Sequence, residues 1–158
     1  MRTLFLALVV STSSLAATPA GKAGPDAGVA AAQLPEDPVT LQPAEVVKLL
    51  AEKGEKPLLF HVGFKKLYQG AHIPGSEYLG PGNDPDAMEK LRVRVAKLPK
   101  TASILIYCGC CPWERCPNIK AAWKVLRAQG FTNVKSMFVA KDFGADWADK
   151  GYPVAKGD

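Results

Sequence analysis

The amino-acid sequence predicts an α/β fold, with a parallel five-stranded sheet flanked by helices on both faces. Short runs rich in apolar and β-branched residues alternate along the chain with longer segments whose apolar residues recur at helical spacing. One of these runs, Leu58–Val62, is apolar enough for a strand that is buried on both faces, as the strands of parallel sheets are. Strands separated by helices in this order are typical of an α/β sheet.

The first half of the chain predicts three strands and two helices. Pro43 suits the first turn of a helix, because the N–H that proline lacks would have no partner there, and Gly54 is a typical end for that helix. The segment Lys65–Gln69 has the length of a single helical turn. The three strands are expected at Val39–Leu41, Leu58–Val62 and Glu77–Leu79.

The second half supplies two more strands and three helices. Apolar side chains at helical spacing predict a helix over Asp86–Leu98 and a second helix of about 12 residues between Pro117 and Gly130. A closing helix is predicted over Asp142–Lys150, with Phe143 and Trp147 turned inward. The strands are expected at Ser103–Tyr107 and Asn133–Met137.

The first residues have the layout of a secretory signal peptide. Arg2 precedes an apolar run, Leu4–Val10, and small residues follow that run up to Ala16. The run is too short for a membrane anchor, which takes about 20 apolar residues. We therefore expect residues 1–16 to be a signal peptide, residues 17–37 a flexible linker rich in Ala, Gly and Pro, and residues 38–158 the folded domain. The expected location is outside the cytoplasm, periplasmic or secreted.

The charge distribution bears on possible partners. Removing residues 1–16 lowers the formal net charge from +5 to +4, because Arg2 is the only charged residue among them. The remaining Lys and Arg residues are scattered, so we expect no nucleic-acid partner, and no membrane partner once the signal peptide is removed. A mild positive excess favours small anionic substrates. The sequence indicates no cofactor and identifies no protein partner.

All four cysteines lie within residues 108–116, between the predicted strand Ser103–Tyr107 and the helix that follows Pro117. Cysteines so close together cannot link distant parts of a fold by disulfides, so they indicate local chemistry. Cys108 lies where the strand ends, and ligands of such sheets bind beyond the carboxyl ends of the strands. The helix N-terminus that follows presents free N–H groups and partial positive charge, which favour a thiolate. Cys108 is therefore the predicted nucleophile.

Three passages resemble the rhodanese-type sulfurtransferase domain, over Val39 to Val154. The passage Gly70–Ser76 is similar to the family's G-H-I-P-G-A, and Tyr107-Cys108 after an apolar strand resembles its active-site cysteine. The third passage, Ala121–Val134 together with Trp147–Val154, resembles the family's closing half. The resemblance implies a rhodanese-like fold and transfer of sulfane sulfur from a small donor to a thiol or cyanide through a Cys108 persulfide. It also implies a small sulfur-containing anion or a thiol as partner.

Two features differ from the family's usual pattern. His61 and Gly63 stand at the end of the second strand, where the family usually has an Asp and an Arg. The loop that begins at Cys108 is longer than the family's active-site loop and contains three further cysteines. The sequence thus resembles an exported single-domain form with an extended cysteine-rich active-site loop.

Several residues around Cys108 are candidates for substrate binding. Backbone N–H groups of the loop would hold the transferred group, and Arg115, the only full positive charge in the loop, suits sulfonate or carboxylate oxygens. The alternative for Arg115 is a solvent-exposed ion pair with Glu114. His61 lies near the strand's carboxyl end, and imidazole titrates near neutrality. The candidates for substrate binding are Gly109, Cys110, Cys111, Arg115 and His61.

The cysteines other than Cys108 leave several alternatives open. A disulfide between Cys111 and Cys116 closes a short loop at little entropic cost and is the expected pairing. Pairing of Cys108 with either of them is also feasible and would make the nucleophile redox-gated. Clustered thiolates also select zinc, copper(I) or iron–sulfur, although the spacing lacks the paired C-x2-C of zinc sites, so no metal ligand is assigned. The alternative functions are therefore an exported thiol–disulfide redox protein or a soft-metal binding module on the same scaffold.

The signal-peptide prediction is testable by N-terminal sequencing of the protein purified from its native host. We expect the mature chain to begin at about Ala17, because a small-residue cleavage site follows the apolar run directly. Recovery of soluble cytoplasmic protein that still begins at Met1 would contradict this prediction.

Overall fold

The computed structural model of the protein describes residues 37–158. The predicted signal peptide and all of the predicted linker except Asp37 lie outside these residues. Within the described part of the chain, every helix is too short or too polar to cross a bilayer.

Five strands and five α-helices alternate along the described chain. The strands are β1 (Val39–Leu41), β2 (Leu58–His61), β3 (Glu77–Tyr78), β4 (Ile104–Tyr107) and β5 (Val134–Met137). The helices are α1 (Pro43–Ala51), α2 (Lys65–Gly70), α3 (Pro85–Val95), α4 (Pro117–Ala128) and α5 (Phe143–Asp146). Short 3-10 helices occupy Trp113–Arg115 and Ala148–Lys150.

The strands form one parallel sheet in the order β1-β5-β4-β2-β3. Strand β4 is central, with β2 and β5 as its neighbours. In the register of the β2–β4 pair, His61 lies opposite Tyr107, so the two strands end at the same level. The predicted parallel five-stranded sheet is confirmed.

The side chains of β4 alternate between two separate apolar clusters. Ile104 and Ile106 pack with residues of α3 and α4 on one face, whereas Leu105 and Tyr107 pack with residues of α1 and α5 on the other. All four residues of the strand are buried. Burying one such aliphatic side chain contributes about 1.5–3 kcal/mol. The predicted covering of both faces by helices is therefore confirmed.

Helix α1 begins at Pro43 as predicted but ends at Ala51, three residues before Gly54. The ammonium group of Lys56 donates hydrogen bonds to the carbonyl oxygens of Leu50 and Glu52, which lie at the end of the helix. Because these carbonyls lack partners within the helix, a cation that reaches back to them stabilises the earlier end.

The predicted helix over Asp142–Lys150 is interrupted in the structure. Helix α5 ends at Asp146, and Trp147 has backbone angles of φ −125° and ψ −64°, outside the helical region. The indole N–H of Trp147 donates to the carbonyl oxygen of Pro153 at 2.8 Å. Phe143 and Trp147 are buried as predicted, and the interruption is the conformation that lets the indole reach the returning chain.

The hydroxyl of Tyr107 joins β4 to the turn that precedes β3. Tyr107 is fully buried, and its oxygen accepts the N–H of Ile73 at 3.0 Å and hydrogen-bonds Ser76 Oγ at 2.7 Å. A second hydroxyl, that of Tyr68, donates to the Ser76 carbonyl at 2.6 Å. These bonds hold the Gly70–Ser76 passage against the end of the central strand.

Substituting Tyr107→Phe should lower the free energy of unfolding by about 1–3 kcal/mol, because the buried N–H of Ile73 loses its acceptor. Urea denaturation measures the change. Tyr152→Phe is the matched control, since the Tyr152 hydroxyl has no hydrogen bond within residues 37–158, and it should change stability by less than about 0.5 kcal/mol. Equal losses in the two variants would contradict the assigned role of the Tyr107 hydroxyl.

Candidate active site

Cys108 lies at the carboxyl ends of β2 and β4, directly against the backbone of Gly63. Cys108 follows the last residue of β4, and the N–H of Val62 donates to the Tyr107 carbonyl at 2.9 Å, which continues the pairing beyond both strands. A Cβ atom on Gly63 would lie only 2.9 Å from Cys108 Sγ. The sulfur therefore occupies space that any other residue at position 63 would take.

Three of the four cysteine sulfurs form a compact group, which we call the three-sulfur cluster. The Sγ atoms of Cys108, Cys110 and Cys116 all lie within 4.8 Å of one another, with 3.2 Å between those of Cys108 and Cys110. Cys108 and Cys116 are buried, and Cys110 is half-buried. Cys111 contacts the cluster through Cys110, at 3.2 Å between sulfurs. All four are free thiols here, and the predicted Cys111–Cys116 disulfide stays a prediction.

An amide in the first turn of α4 connects this cluster to a neighbouring loop. Asn118 Nδ2 donates to Cys108 Sγ at 3.5 Å and to Cys110 Sγ at 3.6 Å, while its Oδ1 accepts the N–H of Gly82 at 2.9 Å. The N–H of Gly82 can bond only the amide oxygen, so it orients the amide group with its NH2 toward the sulfurs. Sequence analysis missed Asn118, whose signal is a polar side chain at the start of an apolar, buried helix face.

The environment of Cys108 favours its thiolate. Hydrogen bonding by the Cys116 thiol is the main cause that lowers the pKa of Cys108 from 9.0 to about 6; burial opposes the shift, and Asn118 adds to it. The same bond raises the pKa of Cys116, because its thiol is the donor. Burial, together with hydrogen bonds to Cys108 and Cys111, raises the pKa of Cys110 to about 12. Among the three sulfurs, hydrogen bonding therefore favours the thiolate on Cys108.

His61 is present at the site as an uncharged group. It is 2% exposed, and its Nδ1 accepts the N–H of Gly63 at 3.3 Å, which leaves the proton on Nε2. Burial, with a smaller contribution from His72, lowers the pKa of His61 to about 4. The expectation that this imidazole titrates near neutrality is therefore wrong. His72 bonds the Tyr68 carbonyl through Nδ1 at 2.7 Å and has a structural role.

An open cavity of about 530 Å³ lies beside the cluster, between α2 and α5. Of the predicted site residues, His61, Gly109 and Cys110 line it. Cys108 is 3% exposed and does not line the cavity itself, but its sulfur lies 3.2 Å from that of Cys110, which does. Lys66 also lines the cavity and supplies a positive charge that the sequence analysis did not assign to the site; Asp142 supplies a negative one.

Arg115 lies apart from this cavity. It ends the 3-10 helix Trp113–Arg115 and is exposed to solvent. Within residues 37–158 its guanidinium has no ion pair or hydrogen bond, and the alternative pair with Glu114 does not form. Trp113 begins this 3-10 helix. Its indole N–H donates to Ser136 Oγ at 3.0 Å, which holds the loop against β5. The structure brings Cys108, Gly109, Cys110 and His61 together but leaves Arg115 outside.

Comparison with known proteins identifies the fold. No family model and no curated protein matches the sequence. Among solved structures, a rhodanese-like domain from Anabaena sp is 21% identical, with a TM-score of 0.53 over 74% of this chain and 78% of that one. A polysulfide-sulfur transferase homodimer from Wolinella succinogenes is 18% identical, with a TM-score of 0.54 over 77% and 80% of the two chains. A single-domain sulfurtransferase from Saccharomyces cerevisiae is 20% identical, with a TM-score of 0.54 over 73% and 96%. The chain therefore has a rhodanese-like fold.

Substituting Asn118→Leu should raise the pKa of Cys108 above about 6, because a donor to the thiolate is lost while the side-chain size is kept. The thiolate fraction at a given pH near neutrality then falls. The measurement is the pH dependence of Cys108 alkylation by iodoacetamide, resolved by peptide mass spectrometry. Asn83→Leu, an exposed asparagine in the adjacent loop, is the control and should keep the wild-type profile. Identical profiles for all three proteins would show that the hydrogen bond from Asn118 does not lower the pKa of Cys108.

Proposed function

We propose that this protein is a sulfurtransferase that moves sulfane sulfur from a small donor to a thiol or cyanide acceptor through a persulfide on Cys108. The observation that carries the proposal is the position of Cys108 at the carboxyl end of the central strand, where Asn118 donates a hydrogen bond to its sulfur. A thiolate is the reacting form of cysteine, and hydrogen bonds from Cys116 and Asn118 support the proposal by lowering the pKa of Cys108 to about 6.

The proposed reaction has two steps, each an attack on sulfur. The Cys108 thiolate attacks the sulfane sulfur of a donor such as thiosulfate, a new S–S bond forms, and sulfite leaves with the electron pair of the broken bond. In the second step a thiolate or cyanide attacks the outer sulfur of the persulfide, and the Cys108 thiolate leaves. The same thiolate is thus consumed and regenerated, and no external oxidant or reductant is needed.

Asn118 and the loop backbone have a place in this proposal. The hydrogen bond from Asn118 and the backbone N–H of Cys110 support negative charge on Cys108. The same donors would lie beside the anion that forms on a persulfide. The cavity between α2 and α5 is the proposed approach for the donor, with Lys66 attracting an anion to it.

Two structural neighbours are sulfur-transferring proteins, which supports this chemistry. One is a polysulfide-sulfur transferase and the other a single-domain sulfurtransferase. At these identities the likeness establishes the fold, and shared activity is part of the proposal. We also propose that the domain acts after export, since residues 1–16 have the layout of a signal peptide.

Substituting Cys108→Ser should lower sulfur transfer from thiosulfate to cyanide or to a thiol by at least about 10³-fold, as removal of a nucleophile does. A serine hydroxyl does not ionise near neutrality and cannot carry sulfane sulfur. The variant should remain folded, because serine is nearly isosteric with cysteine. Cys110→Ser and Cys111→Ser are the matched substitutions, and each should lower the rate of sulfur transfer less than Cys108→Ser does.

Intact mass provides a second measurement of the same step. After incubation with thiosulfate, wild type should gain about 32 Da, the mass of one sulfur atom, and Cys108→Ser should gain none. Wild type that is inactive with every sulfane donor, or a Cys108→Ser variant with wild-type rates, would overturn the sulfurtransferase proposal.

A further inference from the structure

We propose that Cys108, Cys110 and Cys116 together form a three-coordinate binding site for copper(I). This inference goes beyond the proposed sulfur transfer and does not depend on it. It rests on where the fold places three sulfur atoms that the sequence separates into a strand end, a loop and the residue before α4.

The spacing of the three sulfurs suits one small metal ion. With metal–sulfur bonds of about 2.3 Å, as for zinc and thiolate, an ion at the centre of three sulfurs holds them about 4 Å apart. In the three-sulfur cluster the sulfurs of Cys108 and Cys110 are 3.2 Å apart, and no pair exceeds 4.8 Å. The cluster therefore has to adjust by less than an ångström per sulfur, which side-chain rotation can supply.

The chemistry of the donors favours a soft ion of low coordination number. All three donors are sulfur, and thiolates select Cu(I) over hard cations. Zinc sites that are structural use four ligands in a tetrahedron. Cys111 is the only other cysteine, and it reaches only the outer member of the cluster, Cys110, so the compact group offers three ligands and not four.

The surroundings supply the outer-sphere support that such ligands usually have. Asn118 donates to two of the three sulfurs, Cys108 and Cys110, and its amide is oriented by Gly82. Burial of Cys108 and Cys116 shields two of the three sulfurs from water and competing oxygen ligands, and only Cys110 faces the cavity. Binding replaces the thiol protons of the ligands, which pass to solvent, and no electron is transferred.

Copper binding has a direct consequence for Cys108. The sulfur that would hold a persulfide is one of the three ligands, so Cu(I) and sulfane sulfur compete for it. The site also requires Cys116 in its reduced form, because a Cys111–Cys116 disulfide would remove one ligand.

The test is an anaerobic titration of the full, reduced chain with Cu(I) supplied as its coloured bicinchoninate chelate. Wild type should remove one equivalent of Cu(I) from the chelate and develop ultraviolet thiolate-to-copper absorption. Cys110→Ser and Cys116→Ser should each weaken binding by more than about 100-fold, the upper end of the loss for an outer-sphere partner. Cys111→Ser, the matched control outside the cluster, should change the Kd by less than about threefold.

Three results would each overturn the inference. They are no uptake of Cu(I) by reduced wild type, a loss of Cu(I) affinity in Cys111→Ser equal to that in Cys116→Ser, or displacement of Cu(I) by equimolar Zn(II). Circular dichroism verifies that the serine variants fold; should buried Cys116→Ser unfold, the half-buried Cys110→Ser decides the outcome. Sulfur transfer is assayed separately, on metal-free protein with the chelator present. Wild type that binds Cu(I) but transfers no sulfur would contradict the proposed function alone. Wild type that transfers sulfur but binds no Cu(I) would contradict this inference alone.

Discussion

The parallel pairing of β2 with β4 is the constraint on which the site depends. Both strands are buried, so their backbone groups must bond each other, and the pairing continues to Val62 beyond the last residues of the strands. It brings Gly63 to Cys108 Sγ so closely that a Cβ atom would be 2.9 Å from the sulfur. A nucleophile held this way is positioned by the sheet, and the loop that follows is free to differ in length.

The long loop adapts to this position through a few specific bonds. Trp113 ties its middle to Ser136 of β5, and the N–H of Phe143 donates to the Gly109 carbonyl at 3.2 Å near its start. At its end, Asn118 turns from α4 toward the sulfurs of Cys108 and Cys110. Every buried side-chain nitrogen and oxygen within residues 37–158 has a hydrogen-bond partner, so the loop adds three cysteines without leaving polar atoms unsatisfied. The result is a group of thiols in which hydrogen bonding concentrates the negative charge on one sulfur.

Much of the fold follows from local sequence pattern. Residues 104–107 predict a buried strand because all four are apolar or aromatic, and Pro117 with the apolar residues behind it predicts α4. The errors fall where a residue beyond the end of a helix bonds back to it. Lys56 ends α1 early by reaching back to its last carbonyls, and the bond from Trp147 to Pro153 interrupts the closing helix. Neither bond leaves a trace in the periodicity of the helix that it changes.

At the site, the sequence by itself determined that Cys108 stands at a strand end and that a helix follows its loop, because strand, cysteine loop and helix succeed one another along the chain. Only the tertiary structure decided which groups surround it. Asn118 and Gly82 are 36 residues apart in sequence, and Gly63 meets Cys108 across a strand pair, so their contacts depend on packing that no local pattern encodes. The same packing made His61 neutral by burying it and left Arg115 exposed. Residue type and spacing indicate what a side chain can do, whereas its charge state and its neighbours are set by the fold that buries it.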